Sequence, residues 1–431
     1  MGSFNEFVKK NKVTIIIAMV AIVVVIGLAI GIPCGVLFAQ KKGTPSTYTY
    51  DKTKDFDVFN DGYVLTIADD KDFKVMNIAD LQVSELYTAS RNKQNYELVK
   101  QMVEAEKPDL LTFTGDNFWL YNAKAATKKF IKNIDSLNVP WAPVFGNHEP
   151  ETEVDTNWMM EQFLTAKNCI FNYGENKNRM ADLAKGPINI AGVGNYVINI
   201  KNYSGSIINT IIMMDSHSNN GNQHHEYFNN PSVGEDINGL EGWFTNGGYL
   251  YRPYTQEELE KDNTLTGTKA VGTNYDYIKQ SQIDWYEWVI KGIEKVNGGV
   301  VNSELFFHIP LPEFNIAYAL YEKTLPENYN GRDVINGNFG LNRENVCSPY
   351  YNSGFFDKIT ALGSTKDIIV GHDHVNNSSI EYEGVRLTYG LKTGNGCYWD
   401  ESGEVSGCTI IAIDNQGATS TEHKYYPFAK K

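Results

Sequence analysis

Two hydrophobic patterns divide the chain. From Val13 to Ala39 no side chain is charged and almost all are apolar. At about 1.5 Å of rise per residue, a helix of that length crosses a hydrocarbon core of roughly 30 Å. From about Val58 the pattern changes to short apolar runs that alternate with stretches of helical period. FKVMNIAD precedes a helix near Asn95 to Glu106, DLLTFTGD precedes a helix near Ala123 to Leu137, and VPWAPVFGNHE follows. That order is βαβαβ, the signature of a parallel α/β sheet. Further strands are expected at INIAGVGNYVINI, SIINTIIMMD, SELFFHIP and DIIVGHDH, with antiparallel strands at SIEYEGVRLTYG and CTIIAID. Ser216 to Thr273, rich in Asn and Gly, reads as an irregular loop beside the site. The predicted organisation is a short cytoplasmic segment (1–12), a transmembrane anchor (13–39), a polar stalk (40–57) and one folded domain (58–431).

Charge and cysteines sharpen this picture. A formal charge of −14 argues against a nucleic-acid surface, which needs a basic patch to neutralise phosphates. A small phosphorylated substrate stays compatible, because bound cations reverse the local field. The apolar run is longer than the core of a signal peptide, and Leu37 with Ala39 makes a poor cleavage site, so it reads as a retained anchor. Lysines flank it on both sides and do not orient it. Sequons at Asn202, Asn376 and Asn377 favour a glycosylated, extracellular or luminal domain. Cys34 lies in the span, leaving Cys169, Cys347, Cys397 and Cys408; Cys397 and Cys408 flank a turn-rich segment that a disulfide or two free thiols would suit.

The chemistry lies where the apolar runs end. Asp80 follows VMNIA, Asp116 follows LLTFTG, Asn147 and His148 follow PVFG, His308 follows SELFF, and His372 and His374 follow DIIVG. Ligands of open α/β sheets bind beyond the carboxyl ends of the strands, so residues far apart in sequence can meet there. Each alone has a bland explanation as a turn or a satisfied core residue; the ordered recurrence does not. Carboxylate, amide oxygen and imidazole together suit Mn, Fe or Zn better than Ca or Mg. Asp116 could supply the bridging carboxylate that a dinuclear centre needs. Asp215 and His217, with His224 and His225, read as loop residues facing substrate rather than ligands.

The ordered set Asp80, Gly115-Asp116, GNHE (Gly146 to Glu149), His308 and GHDH (Gly371 to His374) resembles the calcineurin-like metallophosphoesterase superfamily. FFHIPLPEF, GHDHVN and YIKQSQIDWYEW resemble its purple-acid-phosphatase-like branch. The resemblance implies an α/β, two-sheet sandwich with flanking helices and two divalent or trivalent ions, of Fe, Zn or Mn, at one edge. By motif, Asp80, Asp116 and His374 would hold one ion, and Asp116, Asn147, His308 and His372 the other. His148 would act on the phosphoryl group, and Asp373 would be structural. Two positions depart from the pattern. Gln82 stands where many relatives carry His, and its amide oxygen could coordinate weakly or leave the position to water. Trp119 stands where the purple enzymes carry a tyrosinate, so no purple colour is expected.

The function implied is hydrolysis of a phosphate ester, a monoester first, by activated water. Phosphodiesterase action is the nearest alternative, and a catalytically silent surface binding module or receptor is another.

Overall fold

In the computed structural model the described residues lie between 50 and 427, leaving out 68–70, 86–88, 120–121, 173–182, 184, 220–243, 247–248, 274 and 399–404. The expected anchor, Val13 to Ala39, with Cys34, lies outside them, as do His224 and His225. Among the described residues no helix is long and apolar enough to cross a membrane.

In chain order the elements are β1 (Tyr63–Thr66), β2 (Phe73–Ile78), α1 (Ala89–Glu106), β3 (Leu110–Thr114), α2 (Ala123–Asp135), β4 (Trp141–Val144), α3 (Thr156–Phe163), β5 (Tyr196–Lys201) and β6 (Ile207–Met213). There follow β7 (Phe244–Asn246), β8 (Tyr249–Pro253), α4 (Gln256–Lys261), β9 (Thr268–Thr273), α5 (Gln280–Asn297), β10 (Asn302–Phe306), α6 (Glu313–Tyr321), α7 (Phe355–Leu362), β11 (Thr365–Val370), β12 (Ser379–Tyr382), β13 (Val385–Tyr389), β14 (Gly407–Ile413) and β15 (Thr419–Tyr425).

They form a mixed seven-stranded sheet, β1-β5-β6-β10-β11-β13-β12, and a mixed five-stranded sheet, β15-β14-β2-β3-β4. The expected βαβαβ unit is present: β2, β3 and β4 are parallel neighbours joined through α1 and α2. The C-terminal strands are antiparallel, β12 with β13 and β14 with both β2 and β15. The inner strands β5, β6, β10 and β11 of the seven-stranded sheet are buried on both faces, which suits their largely apolar runs. Phe306 and Ile369 join a core shared with Val75, Leu111 and Ile410 of the five-stranded sheet. Their neighbours Leu305, Ile368 and Val370 point the other way, under Trp285, Val289 and Ile290 of α5. On the five-stranded sheet, Phe113, Phe130, Trp141 and Phe163 pack edge-to-face or tilted at 5.1 to 6.2 Å. Aromatic pairs of that geometry add to their area burial.

Two expectations need correction, and the choice left open for the cysteines is decided. The segment Ser216 to Thr273 is not wholly irregular: β7, β8 and β9 make a small antiparallel sheet, and α4 opens on a capping box between Thr255 and Glu258. The stretch read as stalk is folded from Tyr50 onward. Tyr50 and Phe56 are buried against Trp288 of α5, whose indole nitrogen donates to Lys54 O at 2.6 Å. The domain therefore starts at or before Tyr50, ahead of Val58. All four described cysteines, Cys169, Cys347, Cys397 and Cys408, are free thiols. The sequon asparagines divide as well. Asn376 and Asn377 are buried, with Asn376 Oδ1 accepting from Arg343 N and Glu344 N and Asn377 Nδ2 donating to Tyr425 Oη. Of the three sequon asparagines, Asn202, on a turn after β5, is the one that is partly exposed.

Candidate metal centre

Every candidate ligand sits just past the carboxyl end of its strand. The turns there are sharp, and Asp80, Gln82, Asp116 and His372 all hold positive φ, at 52°, 48°, 49° and 79°. Left-handed backbone in non-glycine residues costs energy and clusters at functional sites. The glycines of GNHE and GHDH serve close approach. A Cβ on Gly146 would lie 2.3 Å from Asp116 Oδ1, and one on Gly371 would lie 2.7 Å from Asp80 Oδ2.

Two groups of ligand atoms converge. Asp80, Asp116 and His374 offer atoms within 4.8 Å of one another. His308 Nε2 lies 3.0 Å from Asn147 Oδ1, 3.3 Å from Asp116 Oδ1 and 3.2 Å from His372 Nδ1. Asp116 belongs to both groups. The expected ligands Asp80, Asp116, Asn147, His308, His372 and His374 are thus brought together, and all are buried.

Hydrogen bonds outside the centre set the imidazole lone pairs. His308 Nδ1 donates to Thr114 O at 2.8 Å and His374 Nδ1 donates to Tyr398 O at 2.9 Å, leaving each Nε2 as an acceptor aimed inward. A backbone carbonyl holding the far nitrogen is the usual support of a metal-binding histidine. Acceptors about 3 Å apart repel unless a proton or a cation lies between them. His372 Nε2, buried, has no hydrogen-bond partner among the described residues. The donor set around Asp116, Asn147, His308 and His372 therefore fits a metal ion.

Electrostatics agree. Burial alone would raise the Asp116 carboxyl, but His308 and His148 outweigh it and hold the group well below the usual carboxylate range. Burial opposes charge on His308, yet Asp116 and Asp80 raise it to about 9, so a proton there does part of a cation's work.

His148 is arranged differently. Its ring is partly exposed, its backbone nitrogen donates to Asp116 Oδ1 at 2.9 Å, and its Nδ1 lies 2.5 Å from Glu151 Oε2. Burial pulls its pKa down, but Asp116 and Glu151 raise it to about 9. Its Nε2 lies 3.8 Å from Asp116 Oδ2, at the edge of the ligand groups.

Several residues have roles that their motifs or positions did not disclose. Glu149 accepts from the backbone nitrogens of Asn117 (2.6 Å), Phe118 (3.3 Å) and Gly146 (2.8 Å), tying the two ligand turns together. Ser216 Oγ accepts from His308 N at 3.2 Å, and Ser218 Oγ donates to Asn147 O at 3.0 Å. The rule of strand ends, applied to SIINTIIMM, would have found both serines. His217 is not a loop residue facing substrate: it is buried, with Nε2 2.8 Å from Gln282 Oε1, and its backbone nitrogen donates to Asp215 Oδ1. Asp373 accepts from Tyr389 Oη at 2.6 Å and Cys347 N at 3.1 Å, a bracing position.

Lys392 is the largest surprise. It is buried, and its ammonium donates to Asp80 O at 2.9 Å and to Gln82 Oε1 at 2.7 Å; burial brings its pKa down to about 8. Gln82 Nε2 consequently faces inward, 3.1 Å from His374 Nε2 and 3.4 Å from Asp116 Oδ2. Because an ammonium only donates, the amide oxygen must face it. Gln82 presents no lone pair to the centre, which corrects its reading as a weak ligand.

The α/β fold thus brings acid, amide and imidazole groups together at its strand ends. The pattern of the calcineurin-like phosphoesterase family matches residues 73–376, and the chain belongs to that family. It is 25% identical over 343 residues to the Arabidopsis thaliana protein named "Probable inactive purple acid phosphatase 14", covering 74% of this chain and 69% of that protein. It is 27% identical over 328 residues to "Probable inactive purple acid phosphatase 29" of the same plant, covering 73% and 67%. Among solved structures, a dimetal phosphatase from Danio rerio matches at 12% identity with a TM-score of 0.47, over 82% of this chain and 99% of that one.

Proposed function

We propose that the protein hydrolyses phosphate esters, monoesters foremost, in a domain displayed on the extracellular or luminal side of a membrane. The convergence of His308, Asn147, Asp116 and His372, with imidazole lone pairs already turned inward, carries this reading. Bound Fe, Zn or Mn ions would supply Lewis acidity, lowering the pKa of water and neutralising phosphoryl charge. The chain's own part is to hold Asp116 between the two ligand groups and to keep His148 protonated through Asp116 and Glu151. His148 Nε2 then donates to a phosphoryl oxygen or to the leaving alkoxide.

His148→Ala is expected to lower kcat by about 10²- to 10⁴-fold, the range of positioned acid catalysis, with bound metal unchanged. Phosphate release from mono- and diester substrates, measured beside metal content, checks it. Loss of metal equal to the loss of activity would show His148 to be a ligand instead.

A second reading, a silent phosphate-binding module, is supported by Gln82 and Lys392 at the first ligand group and by the names of the two plant relatives. Metal-dependent turnover by the purified protein separates the two.

For the location, the uncharged run Val13 to Ala39 supports a single-pass anchor. The full chain should remain with membranes through alkaline carbonate washing, and release into the wash would refute the anchor.

A further inference from the structure

Gln82 and Lys392 are built into the centre yet take no part in the proposed hydrolysis. The loop after β13 lies directly on the strand end that carries Asp80 and Gln82. Thr393 N donates to Ala79 O at 2.9 Å, and Arg91 clasps Asn395 O at 2.8 Å. A Cβ on Gly394 would sit 2.0 Å from Leu81 O, and one on Gly396 would sit 2.2 Å from Gln82 O. Only glycines let the loop come this close, so Lys392 is delivered beneath Gln82 by fixed backbone. The first ligand group is left with three acceptors, and at its fourth corner stands an amide N–H, with an ammonium directly behind it.

We propose that the Gln82–Lys392 pair is a lock that makes the centre mononuclear at ordinary metal concentrations: one ion binds tightly among Asp116, Asn147, His308 and His372, while the Asp80–Asp116–His374 group stays weak. The lock rests on the metal-centre reading, but it concerns stoichiometry and not turnover. Two causes act together. The inward N–H occupies the His374 Nε2 and Asp116 Oδ2 lone pairs that an ion would need. The ammonium adds a positive charge that a second cation must approach in a buried interior, where charge interactions are strong. Outer partners of a metal ligand commonly change affinity 10- to 100-fold. A misdirected amide with a cation behind it should separate the two sites by at least about 100-fold.

Gln82→Glu is the sharpest probe. It keeps the shape and the bond to Lys392, and replaces the inward N–H with an oxygen that can coordinate. The protein, stripped with chelator, is titrated with Mn(II) while bound metal per chain and the electron paramagnetic resonance spectrum are recorded. The unaltered protein should bind one Mn tightly and give the six-line spectrum of an isolated ion. Gln82→Glu should bind a second ion at least about 10-fold more tightly than the unaltered protein and show exchange coupling between the two. Gln82→Leu, which offers neither donor nor acceptor, should not weaken ion binding, since Gln82 is not a ligand. Its melting curve establishes that it is folded. Two equally tight, coupled ions in the unaltered protein would overturn the proposal, as would loss of an ion in Gln82→Leu or no gain in Gln82→Glu. Binding of no ion would overturn both this proposal and the metal-centre reading. One tight ion without phosphate release would refute the hydrolase reading alone and leave the lock standing.

Discussion

Asp116→Asn is expected to lower hydrolysis by at least about 1000-fold, roughly 4 kcal/mol of barrier, and to strip most of the bound metal. Among the described residues Asp116 is shared by both ligand groups: Oδ1 lies 3.3 Å from His308 Nε2, and the same carboxylate belongs to the cluster with Asp80 and His374. The substitution removes the negative charge that both groups share and keeps the shape. Asn tolerates the left-handed backbone at this position, φ 49°, better than most residues. The fold should therefore survive, and circular dichroism together with metal analysis separates loss of ligand from loss of structure. A folded variant that keeps its metal and its turnover would exclude Asp116 as the shared ligand.

Glu149→Leu is expected to cost at least about 3 kcal/mol of stability, the penalty for leaving several buried donors without acceptors. The three backbone nitrogens of Asn117, Phe118 and Gly146 all end on this carboxylate, and so does Asn117 Nδ2 at 3.1 Å. Glu149→Gln should be destabilising too, because both oxygens accept and an amide has only one. The turns it ties carry Asp116 and Asn147, so metal affinity should fall with stability. Denaturant unfolding monitored by fluorescence gives the first quantity and metal titration the second. A loss below about 1 kcal/mol in Glu149→Leu would mean that water reaches the orphaned nitrogens.

The ligand set was legible because strand geometry and chemistry coincide. An apolar run such as DIIVG must be buried, it must end where the sheet ends, and the polar residue next in line is then presented at the edge. Asp80, Asp116, Asn147, His308, His372 and His374 all obey that rule. The elements that were missed break it in identifiable ways. β15, TSTEHKY, is a polar edge strand whose side chains alternate between partly buried and exposed, so no apolar run announces it. β7, β8 and β9 pair with one another outside the main sheets and need little hydrophobic patterning. Tyr50 and Phe56 are isolated aromatics in a polar stretch, and only their partner Trp288, far along the chain, reveals that they are core. Lys392 could not be read at all. A lysine after LTYGL is ordinarily a solvated surface residue, and its burial depends on where two glycines allow the loop to rest.

The left-handed turns at Asp80, Gln82, Asp116 and His372 also bear on how the protein keeps its shape. Each such residue costs roughly 1 to 2 kcal/mol, so the edge that holds the centre is an energetic debit within an otherwise apolar core. An ion that binds only the folded chain offsets it, by about 2.7 kcal/mol when free metal stands at 100 times its dissociation constant. With an ion bound there, metal supply would set the protein's lifetime as well as its chemistry. Under chelation the backbone amides at 80–82, 116–119 and 372–374 would be the first to exchange with solvent, and proteolysis would begin from this edge of the molecule.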